Sequence, residues 1–449
     1  MVLISSVAVF VTLGIIYRAY ANWLFSPVGL FAVSFMLSYG VRIAFISTGL
    51  DSEYPDSLFR FGSPMLSANL YLIGFLAMCG LGLLAGSHSD LRLRFLFPST
   101  DGAVDTAKAF RIATILTGIW FLIIVFLFAR YGSYARMVRA SKVDKEFAGL
   151  FFLLVFPTSG TITSILVFLL TVRDRVGRFT PRQRSMATIS VIYALFNGVG
   201  VYLWGARSLL VLTAVQLVIG YFVFRPRGTT RRLRGTRGRV VIGILVAIGL
   251  GTLMVVGLRV YRDQALSGSV SGSIKGQTVV RQLSVAANTV HYDAYLLAVR
   301  DWPTTHRFRG GLDIYNGAVG VIPRALWPGK PTFVAPGAWF RQVYEPNTRN
   351  GWPMGAPGTW YLNFGRIGIL ICGLVTGIVL SAALRSMSRT RTEPLAFVMA
   401  FAVGIWVLGD GVDGEFVVKW AQFVLPMLLL IPLMRRQRRT AAVPVPVTV

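Results

Sequence analysis

The side chains of this chain that could act on a polar substrate are mostly cations. Arg207 follows the short turn Trp204-Gly205-Ala206, and Arg259 and Arg262 follow an apolar run. Arg281 and Arg366 flank the segment Ile322-Pro323-Arg324-Ala325-Leu326-Trp327-Pro328-Gly329-Lys330-Pro331, which presents Arg324 and Lys330 on a proline-framed element. A guanidinium plane suits bidentate phosphate contacts, and an ammonium supplies a point charge. Several such groups converging on one diphosphate would stabilise it as a leaving group. Read singly, each Arg also suits snorkelling to lipid headgroups. The tight turn before Arg207 and the prolines around Arg324 favour the phosphate role at those two positions.

The acids of the same regions are Asp293, Asp313 and Glu345, then Asp410, Asp413 and Glu415. A carboxylate or a histidine can take the proton from an acceptor hydroxyl. His291 and Asp293 lie two apart, so a helix would not put them on one face. Asp410 interrupts an apolar helix end at Leu408-Gly409-Asp410-Gly411. Acids at membrane depth are functional by default. Trp327 and Trp339 fit either sugar stacking or an interfacial belt, while Trp23, Trp360 and Trp420 fit the belt.

Much chemistry is excluded. There is no Walker A sequence, Rossmann fingerprint, H-E-x-x-H or G-x-S-x-G. The three histidines, His88, His291 and His306, are too few and too scattered for a His-built metal site. Cys79 and Cys372 both sit in apolar runs, so no disulfide framework is expected. No metal and no other cofactor is expected.

The elements that position these residues are membrane helices. The chain of 449 residues is 54% hydrophobic and 14% charged, and its mean hydropathy is +0.63. That composition indicates a polytopic membrane protein. Its net charge of +27 is explained by inward-facing basic loops and anionic lipid, not by nucleic acid. Apolar runs able to cross a hydrocarbon core of about 30 Å predict an all-α protein with eleven spans. These are Val2–Tyr17, Leu24–Ser47, Met65–Gly86, Phe110–Ala129, Gly149–Val172, Met186–Trp204, Leu209–Phe224, Val240–Leu258, Trp360–Leu384, Leu395–Leu408 and Phe416–Met434. The first run lacks a basic leader and reads as a span, not a signal. Pro27, Pro157 and Pro426 are expected to kink or open their helices.

This gives a bundle over residues 1–258, a loop over 259–357, a second bundle over 358–434 and a tail over 435–449. Arg173–Arg184 holds five Arg against one Asp, and Arg225–Arg239 holds seven Arg and no acid. With Arg385, Arg389, Arg391 and the tail arginines, they define the cytoplasmic side. The N-terminus is then outside and the C-terminus cytoplasmic, in the plasma membrane. The loop Arg130–Glu146 breaks the pattern with five cations on the outer side, a cost of this topology or a sign of anion binding. The loop 259–357, with eleven Lys/Arg and five Asp/Glu, lies outside; loops this long cross regardless of charge. Its Gly, Pro and Trp content predicts a folded, turn-rich element. Residues Val279–Val299 keep helical apolar spacing. No internal repeat is visible.

The segment Ile322–Pro331, the Gly/Pro-rich stretch after it and Trp360-Tyr361-Leu362-Asn363-Phe364-Gly365-Arg366-Ile367-Gly368 resemble Wzy-type oligosaccharide repeat-unit polymerases of O-antigen and capsule synthesis. The Gly205-Ala206-Arg207-Ser208 turn is similar to an outer Gly-x-Arg turn of that family. Where the family often carries an acid shortly before Tyr-x-Asn-Phe-Gly, this chain has Gly358 and Thr359. The resemblance implies a GT-C-like membrane glycosyltransferase at the outer membrane surface. It would transfer a growing glycan from undecaprenyl diphosphate to an incoming lipid-linked repeat unit. Arg207, Arg324 and Lys330 would hold the diphosphate; Asp293 and Asp410 are the catalytic carboxylates expected from the residues themselves, as candidates for the general base. Arg259, Arg262, Arg281, His291, Trp327, Tyr361, Asn363 and Arg366 would line the substrate. Membrane lipids, a flippase and a chain-length regulator are the implied partners. An O-antigen ligase shares the donor, and a lipid-linked-sugar transporter would move substrate without bond chemistry; the large outer loop favours an enzyme.

The topology is testable by labelling from outside the cell. A Lys330→Cys variant is expected to react with an impermeant maleimide, and a Gly235→Cys variant is not. The reverse pattern would overturn it.

Overall fold

The structure, a computed structural model, describes residues 1–48, 64–89, 93, 96–97, 103–133, 136–137, 140, 151–203, 207–226, 291–322, 326–331, 334–346 and 351–436. Every regular element among them is a helix; strand-like pairing is confined to one antiparallel bridge, Val104 to Arg435. Helices suit a chain in hydrocarbon, because each satisfies its own backbone.

The elements are α1 (Val2–Tyr20), α2 (Pro27–Phe35), α3 (Val41–Ser47), α4 (Pro64–His88), α5 (Thr106–Tyr131), α6 (Val155–Arg173), α7 (Pro181–Leu203) and α8 (Arg207–Phe224). After them come α9 (His291–Asp301), α10 (Leu312–Gly320), α11 (Pro336–Tyr344), α12 (Gly355–Ser386), α13 (Pro394–Phe401), α14 (Phe416–Phe423) and α15 (Leu425–Met434).

Seven helices among the described residues are long and apolar enough to span a membrane: Val2–Tyr20, Pro27–Ser47, Pro64–His88, Thr106–Tyr131, Val155–Arg173, Gly355–Ser386 and Phe416–Met434. The sequence predicts eleven. The expected spans Leu209–Phe224 and Leu395–Leu408 are helical, but their apolar helices Leu212–Phe224 and Pro394–Val407 are shorter. Met186–Trp204 falls on α7, whose first turn carries Arg182 and Arg184. Val240–Leu258 lies outside the described residues.

Hydrogen bonds gather the helix ends into two groups. Trp23 Nε1 donates to Thr390 Oγ1 at 2.6 Å, and Arg391 donates to the Asn22 carbonyl at 2.7 Å. Arg385 donates to the carbonyls of Gly86 and Ser89, and the Asp105 N–H to that of Met434. A cavity of about 310 Å³ is lined by Arg173, Arg389 and Val104. The arginine-bearing ends of α6, α12 and α15 therefore lie together, as the charge pattern predicts. At the opposite end Ser6 meets Ser47 at 2.7 Å, and Asn69 donates to Ser5 and Ser6 at 3.0 and 3.1 Å.

The centre of the bundle is α4 against α12. Gly373, Gly377 and Ser381 line the contact at intervals of four, so the backbones approach closely. A Cβ on Gly377 would fall 2.1 Å from the Cys79 carbonyl oxygen.

The helix breaks are not where the prolines predict. Pro27 starts α2, where Ser26 Oγ accepts from the Gly29 N–H at 3.1 Å, and Pro157 lies in the first turn of α6. A proline costs little where the N–H has no helical partner. Only Pro426 marks a break, between α14 and α15. The internal distortions are π-helical turns at Met36–Gly40 and Ala402–Val407 and a kink at Gly365 in α12. The two π turns are brought together because α2 packs on the second.

A layer of three short helices covers the end opposite the arginines. α11 and the residues around it make an aromatic core. Trp302 packs on Phe340 with ring centroids 5.5 Å apart, Phe340 on Trp352 at 6.0 Å and Tyr344 on Trp352 at 5.6 Å. Trp302 and Phe340 are buried and Trp339 and Trp352 are partly buried against them, whereas Trp327 is exposed. Within the expected helix Val279–Val299 the described part begins at His291 and runs to Asp301 as α9. It is anchored by Arg42, whose Nε lies 3.0 and 2.9 Å from the two carboxylate oxygens of Asp293. Both side chains are 1% exposed.

Removing one partner of such a pair leaves a buried charge and costs about 3–5 kcal/mol. Arg42→Met is therefore expected to lower the unfolding temperature in detergent sharply. The double variant Arg42→Met, Asp293→Leu should recover most of that loss. A double variant as unstable as the single one would remove the pair from this role.

Candidate active site

The two π turns converge on Gly355, where the covering layer hands the chain back to the bundle. The first turn presents Tyr39, and the second leads into Leu408-Gly409-Asp410. Gly355 takes φ of 69°, and a Cβ there would fall 2.1 Å from Asp410 Oδ2 and 2.2 Å from the Tyr39 hydroxyl. Only glycine fits, on both counts. The Ala356 N–H donates to Asp410 Oδ1 at 3.3 Å, and Tyr39 donates to the Met354 carbonyl at 3.3 Å. Asp410 is 8% exposed, and its buried Oδ2 has the Tyr39 hydroxyl as its polar neighbour. One oxygen is thus fixed by the start of α12, and the other is buried against Gly355 beside the Tyr39 hydroxyl.

A second carboxylate is held one stretch further along α12. Asp313 accepts from Arg309 Nε at 2.8 Å and from Asn363 Nδ2 at 2.9 Å through Oδ2, and its buried Oδ1 has no partner among the described residues. Asn363 Oδ1 in turn accepts from the N–H groups of Gly311 and Asp313, and so seats the first turn of α10. The Arg309 guanidinium lies 3.6 Å from the Trp339 ring centroid. Gly355 and Asn363 are eight residues apart, so the two acids flank a stretch of α12 about 12 Å long.

The turn between them supplies a third acid. Asp413 is partly buried and accepts from the Glu415 N–H at 3.0 Å. Burial pushes its carboxyl up to about 7; Glu415 and Asp410 push the same way and Lys419 opposes them. Lys419 pairs with Glu415 at 3.1 Å. The turn is clamped to α12 by Trp360 Nε1, which donates to the Val412 carbonyl at 2.6 Å, and by Thr376 Oγ1, which accepts from the Val412 N–H at 3.0 Å.

Other predicted residues take different places. Asp293 is committed to Arg42 inside the protein and does not face an open cavity. Its neighbour His291 lies 6.2 Å from Tyr39, ring to ring. Lys330 turns back and donates to the carbonyls of Gly320 and Ile322 at 2.7 and 2.5 Å. Tyr361 is 6% exposed and donates to the Trp302 carbonyl at 2.9 Å. Trp327 is exposed at 39%, and Arg366 is exposed just after the Gly365 kink. Arg207 opens α8. Arg259, Arg262, Arg281 and Arg324 lie outside the described residues.

Sequence reasoning missed Tyr39, Arg42, Arg309 and Gly355. Arg42 did carry a signal, since a lone cation in an apolar helix needs a partner. Gly355 had none, because its role depends on two distant side chains.

No protein-family model, curated protein or solved structure matches this chain. Among the described residues no group of His, Cys, Asp and Glu is placed to hold a metal ion.

An acid raised on folding is more protonated in the folded state than in the unfolded chain between about pH 4 and pH 7. Asp413 therefore lowers stability as pH rises through that window. The unfolding temperature of Asp413→Asn should fall less than that of the parent over this range and exceed it above pH 7. Parallel curves for the two proteins would contradict the raised value.

Proposed function

We propose that the protein is a membrane glycosyltransferase that polymerises undecaprenyl-diphosphate-linked oligosaccharide repeat units at the outer surface of the plasma membrane. The observation that supports this most is Asp410, a carboxylate buried at a membrane helix end with one oxygen fixed by a backbone N–H. Glycosyl transfer needs the acceptor hydroxyl deprotonated, and a carboxylate can take that proton. The packed layer of α9–α11 also fits an enzyme that works at the bilayer surface.

In this reading Asp410 takes the proton from the acceptor hydroxyl of the incoming repeat unit. The acceptor oxygen forms the new bond to the anomeric carbon of the growing glycan. The bond from that carbon to the diphosphate breaks, and its electron pair leaves with the diphosphate. Fixed cations stabilise the leaving group without reorganising. Arg207, Arg324 and the exposed Arg366 are the proposed cations. Lys330 acts indirectly, by holding the end of α10.

The test is purified protein in proteoliposomes with lipid-linked repeat units, read out as chain length. The expected product is a ladder. A single transfer to an unrelated lipid acceptor would indicate a ligase, and movement of substrate without a new bond would indicate a transporter. Asp410→Asn, at an unchanged unfolding temperature, is expected to slow elongation roughly 10²–10⁴-fold. A ladder formed at the parent rate would remove Asp410 from the chemistry.

A further inference from the structure

Helix α10 is amphipathic in the opposite sense to a water-facing helix. Asp313, Asn316 and Gly317 are turned inward, and the exposed positions are Leu312, Tyr315 and Ala318, followed by Ile322. These intervals of three and four make one continuous stripe. Leu312 is 46% exposed and Tyr315 50%; beyond the helix Leu326 reaches 78% and Trp327 39%. The stripe carries no charge, whereas a helix facing water carries its polar residues there.

The backbone points the same way. The last carbonyls of a helix have no partner within it and normally turn to water. Here the Lys330 ammonium donates to the carbonyls of Gly320 and Ile322. Capping from within the protein leaves these carbonyls less dependent on water, which suits a helix lying against lipid.

The stripe also joins a lipid-facing surface. Phe364, 40% exposed, packs against Gly311 at the start of α10. From Phe364 the exposed side of α12 continues through Ile367 at 65%, Leu370 at 40% and Ile371 at 45%. On its inner side α10 is pressed onto the turn before α14, so closely that a Cβ on Gly317 would meet the Gly414 carbonyl. Alpha10 is therefore flanked by two membrane-spanning helices.

We propose that α10 and the Leu326-Trp327 corner are embedded in the bilayer, with Leu312, Tyr315, Ile322, Leu326 and Trp327 at the acyl boundary. The occupant of the exposed face is phospholipid. Tyr315 and Trp327 suit the headgroup level, where amphipathic rings concentrate. The inference does not depend on the catalytic reading.

The test uses the full chain in phospholipid nanodiscs with a solvent-sensitive fluorophore at one introduced cysteine. Cys79 and Cys372 are buried and stay in place. Tyr315→Cys and Leu326→Cys probe the stripe; Thr304→Cys, exposed beside the aromatic core, is the reference. The expected result is blue-shifted emission at 315 and 326, quenched by doxyl-labelled phospholipid and spared by iodide, with the converse at 304. Water-like emission at 315 and 326, quenched by iodide, would overturn the proposal. Blue-shifted emission untouched by doxyl lipid would mean that a second copy of the chain covers the face, and would overturn it too.

Discussion

The buried pair between Arg42 and Asp293 decides how this molecule holds together. Neither charge can be left alone at 1% exposure, so α9 is obliged to lie against α3. Once it does, the tyrosines on either side of Asp293 enter the bundle with it. The Tyr292 hydroxyl donates to Asn69 Oδ1 at 2.6 Å, and that of Tyr295 to the Ala68 carbonyl at 3.1 Å. Burial raises both phenols well above their ordinary value, so they remain neutral donors. Asn69 also gathers Ser5 and Ser6 of α1. One ion pair and one amide thus fix three membrane helices to the first helix of the layer. The rest of the layer then hangs from Trp302, whose carbonyl accepts from Tyr361 of α12.

Three aspartates at this end show how the surroundings set what a carboxylate can do. Asp293 has both oxygens on one guanidinium and serves as an anchor. Asp313 shares one oxygen between Arg309 and Asn363, which fixes the first turn of α10. Asp410 accepts a backbone N–H and faces no cation at contact distance among the described residues. Asp293 and Asp313 are each committed to a guanidinium, and Asp410 is not.

The helical class, the shared arginine end and the folded character of the described part of the long loop were legible from hydropathy, charge and the tryptophans. These properties depend on local composition. The positions of the breaks were not. Pro27 and Pro157 signal kinks, yet each falls in a first turn, and the distortions occur at π turns that no residue type announces. Asp293 was legible as an outer acid but not as a buried one, because its partner lies 251 residues earlier. Lys330 was expected to point at substrate; the prolines do make its turn rigid, but the turn aims the ammonium at the carbonyls of α10. Tyr361 and Asn363 carried the family resemblance, and in the structure both hold the layer to α12.

The kink at Gly365 explains why the layer and the span behave as one body. With φ of 65° and ψ of −151° the helix is interrupted there, and the preceding carbonyls lose their regular donors. Two of them are satisfied from the layer: the Arg309 N–H donates to the Leu362 carbonyl at 2.9 Å, and the Gly310 N–H to that of Asn363 at 3.1 Å. Phe308 and Phe364 close over this junction from either side. Lifting the layer would strip both carbonyls of their donors, at about 1–3 kcal/mol each where water is excluded. It would also part Asp313 from Asn363. A hinged lid needs contacts that release cheaply, and these do not. The layer is therefore built as a fixed wall of the bundle, and Arg366, one residue past the kink, is held in place by the same hydrogen bonds.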